Sequence, residues 1–253
     1  MRLAVAVSPH LDDAVFSAGA TIRALVTAGW RVRVVTCFTS SVGDPSPFAL
    51  STQLDKGLGA DVDYMAVRRD EDTAACGVLG AEPVHLPLPE APHRGYTSAR
   101  DLFAGVHDDD RIADDLRAAL APHLNGADVV LAPQAIGDHA DHRVVVDVVA
   151  ALARRVLWWR DTPYVLRRPD AAPWVGVPAG PEQALDIAAH LPIKIAAARC
   201  YHTQHSFQFG GAQHVEPQLR ELAAGEAART GSDAPSEVFT LSTGFGVAQW
   251  ALR

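Results

Sequence analysis

The 253-residue sequence is poor in cysteine: Cys37, Cys76 and Cys200 are its three thiols, far apart and without a C-x-x-C pair. That excludes a disulfide framework and a thiolate metal centre, and it reads as buried thiols in a reducing compartment. Long hydrophobic runs are also missing. Nothing approaches the roughly 20 apolar residues of a membrane span, and a leader cleaved after the apolar stretch at 3–7 would destroy the first strand. Basic runs are absent too: 22 Lys and Arg stand against 30 Asp and Glu, a net charge of −8. This disfavours nucleic acid and anionic membranes as partners. No Gly-x-Gly-x-x-Gly follows the first strand, which removes the dinucleotide fingerprint. No internal repeat or linker divides the chain, so 1–253 reads as a single domain, a cytoplasmic enzyme acting on a small molecule, with homo-oligomerisation left open.

What is present is an alternation of strand-like and helix-like segments, in a chain with 48% hydrophobic residues to fill a core. The spacing predicts strands at 3–8, 32–38, 83–86, 128–132, 156–160 and 237–241. Helices are predicted after residue 12 up to Gly29, over 68–79 up to Gly80, from Ile112, behind residue 142, over 192–204 and over 216–229. Such an order defines an α/β protein, a Rossmann-like three-layer α/β/α arrangement with a mostly parallel sheet. Residues 39–63 and 87–110, rich in Gly, Pro, Ser and Asp, read as two rim loops, the first a candidate lid. Residues 163–180, where prolines dominate, read loosely as a hairpin over the site.

Two polar clusters interrupt this pattern. Ser8-Pro9-His10-Leu11-Asp12-Asp13 follows the first strand, and His139-Ala140-Asp141-His142-Arg143 follows the strand at 128–132. Both sit where open α/β sheets gather their ligands, at the carboxyl ends of strands. An Asp-Asp pair at a strand-to-helix turn also serves as a helix cap; two such clusters in corresponding places point to a shared site. His10 and Asp13, one helical turn apart, can face one point, and His142 can join them from the neighbouring strand end. Two His and one carboxylate form an open three-ligand set that Zn²⁺ uses in hydrolases. Asp12 is then the candidate to take the proton of an attacking water. His139 is close enough to reach a polarised carbonyl oxygen or a leaving nitrogen, and Asp141 can hold a ring nitrogen of a neighbouring His. Of the remaining histidines, 85, 93, 107, 123, 190, 205 and 214 read as surface or loop residues.

The chain resembles the PIG-L (LmbE-like) family of zinc-dependent N-deacetylases. The family's Pro-His-Pro-Asp-Asp stands here as Pro9-His10-Leu11-Asp12-Asp13, and its His-x-Asp-His as His139-Ala140-Asp141-His142. Supporting similarity lies in Arg68-Arg69-Asp70-Glu71-Asp72 and in the segment from Lys194 through Tyr201-His202-Thr203-Gln204, so the likeness spans about residues 3–204. The resemblance implies His10, Asp13 and His142 as metal ligands and Asp12 as general base. It implies His139 as the group that stabilises the oxyanion or assists the amine, Asp141 as its orienting partner, and Arg68 as a contact to substrate hydroxyls. The implied cofactor is Zn²⁺ or another divalent ion such as Fe²⁺. The implied reaction removes an N-acetyl or similar acyl group from an amino sugar or sugar-bearing metabolite, as in secondary-metabolite tailoring.

Two positions depart from the family pattern. Leu11 replaces a proline, and Gly137 stands where the mycothiol-type branch has a tyrosine; Tyr96, Tyr164 and Tyr201 are candidate substitutes that spacing does not separate.

Two other classes compete. A non-haem Fe(II) oxygenase also uses two His and one carboxylate, but on antiparallel barrels. A non-catalytic Rossmann-like binding domain would lack a reason for Asp12 and Asp13, which repel a pyrophosphate. Sheet topology and metal content discriminate among the three.

Overall fold

Alternation along each strand sets the architecture. On the first strand Ala4 and Ala6 pack with Phe16, Leu25 and Leu79, while Val5 and Val7 point the other way, towards Leu116, Leu120 and Val145. Period-two alternation with both faces buried requires a helical layer on each side of the sheet. The computed structural model describes residues 1–242. It contains seven strands: β1 (Leu3–Ser8), β2 (Arg31–Thr36), β3 (Glu82–His85), β4 (Val129–Pro133), β5 (Val156–Trp159), β6 (Glu182–Asp186) and β7 (Ser236–Leu241). Their order across the sheet is 3-2-1-4-5-7-6. β1 to β5 run parallel, β7 is antiparallel to β5, and β6 is antiparallel to β7. The expected α/β class with a mostly parallel sheet is therefore what the chain adopts, and the antiparallel barrel of the oxygenase alternative is not.

The helices Asp13–Thr27, Tyr64–Leu79, Leu191–Ala198 and Ala212–Thr230 supply one face, and Ile112–Leu124 with Ala140–Leu152 the other. Asp13–Thr27 is the central one, and it is kinked at Ala18. The cause is a side chain: Glu237 of β7 takes the N–H groups of Ala20 and Thr21 and the Thr21 hydroxyl, and receives Lys194 Nζ at 2.7 Å. A carboxylate inserted into the ladder bends the helix where it displaces carbonyl acceptors.

Several local expectations are corrected. The helix predicted over 68–79 begins at Tyr64, because the Asp63 side chain caps it through Ala66 N. Residues 39–63 are not all loop: Pro47–Leu54 is a helix capped by Ser46. The hairpin expected over 163–180 is one helical turn, Tyr164–Arg167, followed by irregular chain, and the helix expected to run to 204 stops at Ala198. His205 is buried rather than a surface residue. β6 was not anticipated.

β1 and β4 are neighbours, yet the chain leaves β1 towards β2 and β3 on one side and reaches β5 on the other. Their carboxyl ends flank the switch point of the sheet, and both polar clusters lie there.

Candidate metal centre

The first cluster is shaped by its own hydrogen bonds. Ser8 Oγ donates to the His10 carbonyl at 2.7 Å and accepts from Ala14 N at 3.0 Å, while His10 N donates to Asp13 Oδ2 at 2.8 Å. These bonds turn the chain sharply out of β1 and leave Asp13 on the first turn of the helix, facing back across His10. The second cluster leaves β4 through a loop in which Ala135, Gly137 and Asp138 all have positive φ. That backbone is held by Asp161, at the end of β5, whose Oδ2 accepts from the N–H of Gln134 and of Ile136, each at 3.0 Å. His142 then sits on the first turn of Ala140–Leu152, aimed at Asp13.

Asp13 Oδ2 lies 3.3 Å from His10 Nδ1 and 3.3 Å from His142 Nε2. Tetrahedral ligands at bond lengths of about 2.0–2.1 Å stand about 3.3–3.4 Å apart, so this spacing fits a divalent cation of zinc's size. His142 Nε2 is buried without a hydrogen-bond partner, as a ligand atom should be. The other nitrogen of each ring is braced by a carboxylate: His10 Nε2 by Asp141 Oδ2 at 2.9 Å, and His142 Nδ1 by Asp161 Oδ1 at 2.8 Å. Such outer carboxylates fix the tautomer that presents the ligand nitrogen. His10, His139 and Asp141 also lie close enough to form a donor group. Asp141 is spoken for, however: Arg94 Nη2 donates to Oδ1 at 2.7 Å, and Ala91 N joins His10 on Oδ2.

Electrostatics agree with this assignment. Burial opposes charge on His142, but Asp13 and then Asp161 outweigh it and lift its pKa to about 9; His10 is raised likewise by Asp13 and Asp141. Both shifts mark a position where the surrounding carboxylates favour positive charge. Burial pushes Asp12 up to about 7, with Asp13 beside it adding to the rise and Arg68 opposing it. A cation among its neighbours would draw Asp12 back towards the carboxylate form. Its Oδ2 has no hydrogen-bond partner. His139 goes the other way, lowered to about 3 by burial and then by His10, so its ring is neutral. Its Nδ1 accepts from Asp141 N at 3.2 Å, which leaves Nε2 to carry the hydrogen. His139 is therefore a neutral donor.

Asp141 holds a ring nitrogen of a neighbouring His, as its place in the motif suggests, while two roles implied by the family resemblance differ. The Asp141 carboxylate orients His10, not His139; only its backbone N–H reaches His139. Arg68 was expected on substrate hydroxyls, but it is 5% exposed, with Nη1 on Glu90 Oε1 at 2.6 Å and Nη2 3.6 Å from Asp12 Oδ2. Its fork is committed to Glu90 and the Leu11 carbonyl, which sets its charge beside Asp12. A cavity of about 290 Å³ lies beyond Glu90 and Tyr64, walled by residues of the 39–63 segment, His93 and Met65. Sequence reasoning missed Asp161 and Arg94. Asp161 follows a strand end, as both motifs do, and that position was its one available signal.

A doubly wound sheet with two braced imidazoles and an aspartate at its switch point defines an α/β domain with a candidate metal site at its strand ends. Residues 5–153 match the family model described as PIG-L, GlcNAc-PI de-N-acetylase, and the chain belongs to that family. The 2'-N-acetylparomamine deacetylase of Streptomyces fradiae is 33% identical over 168 residues, which cover 64% of this chain and 57% of the relative, so the match spans little more than half of that protein. The structure of the A40926 pseudoaglycone deacetylase superposes with a TM-score of 0.80 at 28% identity, over 96% of this chain and 98% of that one. A teicoplanin deacetylase complex gives 0.81 at 25% identity, over 94% and 97%. A teicoplanin deacetylase structure is also known in a zinc-inhibited form.

Proposed function

We propose that this chain is a metal-dependent N-deacetylase that removes an acetyl or similar acyl group from an amino sugar or sugar-bearing metabolite, in the tailoring of a secondary product. The observation that carries the reading is the His10, Asp13 and His142 set, with an unpartnered Asp12 oxygen beside it. The relatives, deacetylases of antibiotic precursors, support the substrate class. We take the whole chain to act as one domain and the ion to be Zn²⁺, with Fe²⁺ as the competing choice. The non-catalytic alternative gives no account of ligand nitrogens braced for a cation.

A divalent ion on His10, Asp13 and His142 would acidify water and polarise the substrate carbonyl. The chain's own groups do the rest. Asp12 takes a proton from water as the water oxygen bonds to the acyl carbon, and the Arg68 charge 3.6 Å away favours its carboxylate form. His139, neutral and protonated on Nε2, donates to the amide oxygen as it gains charge. The carbon–nitrogen bond then breaks, and the proton held by Asp12 passes to the departing nitrogen. Amide and water become carboxylic acid and amine, which exchange one proton to leave as carboxylate and ammonium.

The test is acetate release by protein loaded with one equivalent of metal, compared across N-acetylglucosaminyl compounds, N-acetyl amino acids and acetyl-lysine peptides. The sugars should be hydrolysed far faster, and removal of the metal should abolish the reaction. A clear preference for the peptides would defeat the sugar assignment, and no release from any class would defeat the deacetylase reading.

A further inference from the structure

The wall of the site beyond His142 is aromatic, and one of its members has a polar end with nothing to do. The chain has four tyrosines. Tyr64 Oη receives Gln204 Nε2 at 3.0 Å, Tyr96 Oη donates to Asp110 at 3.1 Å, and Tyr201 Oη donates to Asp72 at 2.7 Å. Tyr164 differs. Its ring stands edge-on to His142 at 5.7 Å between centroids, and Phe103 bridges it to His139, with centroids 6.2 Å from Tyr164 and 5.4 Å from His139. Its hydroxyl makes no hydrogen bond among the described residues, and the carboxylates that bear on it are Asp13, Asp161 and Asp12.

The backbone opposite is built to admit this ring. A Cβ on Gly137 would lie 2.4 Å from Tyr164 Cδ1 and 2.7 Å from Cγ, so the ring occupies the space a side chain at 137 would need. The chain two residues before Tyr164 is fastened to the central helix: Thr162 N donates to Ser17 Oγ, and Lys194 Nζ donates to the Ser17 carbonyl. Ring packing alone would be served as well by phenylalanine. A phenol placed against His142, with a hydroxyl that makes no hydrogen bond within the described residues, is free to donate to a molecule bound at the site.

We propose that Tyr164 is a catalytic residue whose hydroxyl donates a hydrogen bond to the substrate's acyl oxygen, sharing with His139 the charge that oxygen gains when water adds. The inference rests on the deacetylase reading above. It also explains why residue 137 is glycine: a side chain there and Tyr164 exclude each other.

Tyr164→Phe keeps the ring and removes the donor. With the best acetylated sugar as substrate, kcat should fall about 10²-fold, the usual cost of one oxyanion donor, while KM, metal content and thermal midpoint stay near those of the parent. Gly137→Ala should lower kcat similarly by displacing the ring, and Gly137→Ala/Tyr164→Phe should lose little beyond Tyr164→Phe, because both act through one hydroxyl. Should Gly137→Ala fail to fold, Tyr164→Phe decides alone. An active parent matched in kcat by metal-loaded Tyr164→Phe overturns the role of Tyr164 and leaves the deacetylase reading standing. A metal-loaded parent that releases no acetate overturns both.

Discussion

An imidazole binds a cation well when its second nitrogen is held, and in this chain both holders are buried carboxylates from other loops. Asp161 carries the heavier load, since its two oxygens serve His142 and the 134–136 backbone at once. Asp161→Asn keeps the size and halves the acceptors, so metal affinity should weaken about 10- to 100-fold, the range for such outer partners. Competition with a chromogenic chelator reads it, and unchanged affinity would remove Asp161 from the centre. Asp12→Asn should do the opposite: metal stays, because Asp12 is no ligand in this arrangement, while kcat falls by about 10²–10⁴ with the lost base. Metal loss in Asp12→Asn would make that residue a ligand. His10, Asp12, Asp13, His139, Asp141 and His142 could be picked out from sequence because each cluster is local, a few residues between a strand and a helix. Asp161, Arg94 and Tyr164 could not, because their place depends on how β5 lies beside β4 and how the 87–110 segment folds over Asp141. For Arg68 the sequence shows a cation near the site but not that Glu90 would take one arm of its fork.

Elements were legible where periodicity was strong and turn residues sharp, as for β1, the Asp13–Thr27 helix and the Gly80 stop, whose φ of 77° suits glycine. β6 escaped because Glu-Gln-Ala-Leu-Asp has no β-branched residue and lies at the sheet edge, half solvated. The bend in Asp13–Thr27 escaped for another reason: its cause, Glu237, is 217 positions from Ala20. That contact makes Lys194 and Glu237 a buried pair, with side chains 3% and 4% exposed. Lys194→Met should leave the carboxylate with backbone and hydroxyl donors but no countercharge, a loss of about 3–5 kcal/mol by denaturant unfolding. Lys194→Met/Glu237→Gln, which removes the charge as well, should recover part of it. If Lys194→Met alone unfolds like the parent, the pair is not what holds the bend.

For the molecule as a whole, the site is a clasp across the switch point. His10 and Asp13 follow β1, His142 follows β4, and Asp161 follows β5, so the loops of three adjacent strands converge on one position. That convergence follows from the strand order; the shared chemistry of the two motifs pointed to β1 and β4 as neighbours, but no local pattern placed β5 and Asp161 beside them. Without a cation, the Asp13 oxygen faces two imidazoles that only protons make attractive to it. A bound ion supplies that charge directly and binds the folded chain in preference to the unfolded one. At 100 times its dissociation constant, such a ligand adds about 2.7 kcal/mol, and for a chain of this size each kcal/mol moves the midpoint by about 2–4 °C. Adding zinc to chelator-treated protein should therefore raise the thermal midpoint by about 5–10 °C. Amide exchange should slow most in 9–14, 134–143 and 160–164, the loops the ion would tie together. His142→Ala should abolish the rise, since the two remaining ligands both come from the loop after β1 and no longer join it to β4. A rise of equal size in His142→Ala would mean that the ion binds elsewhere, and the clasp across the switch point would be wrong.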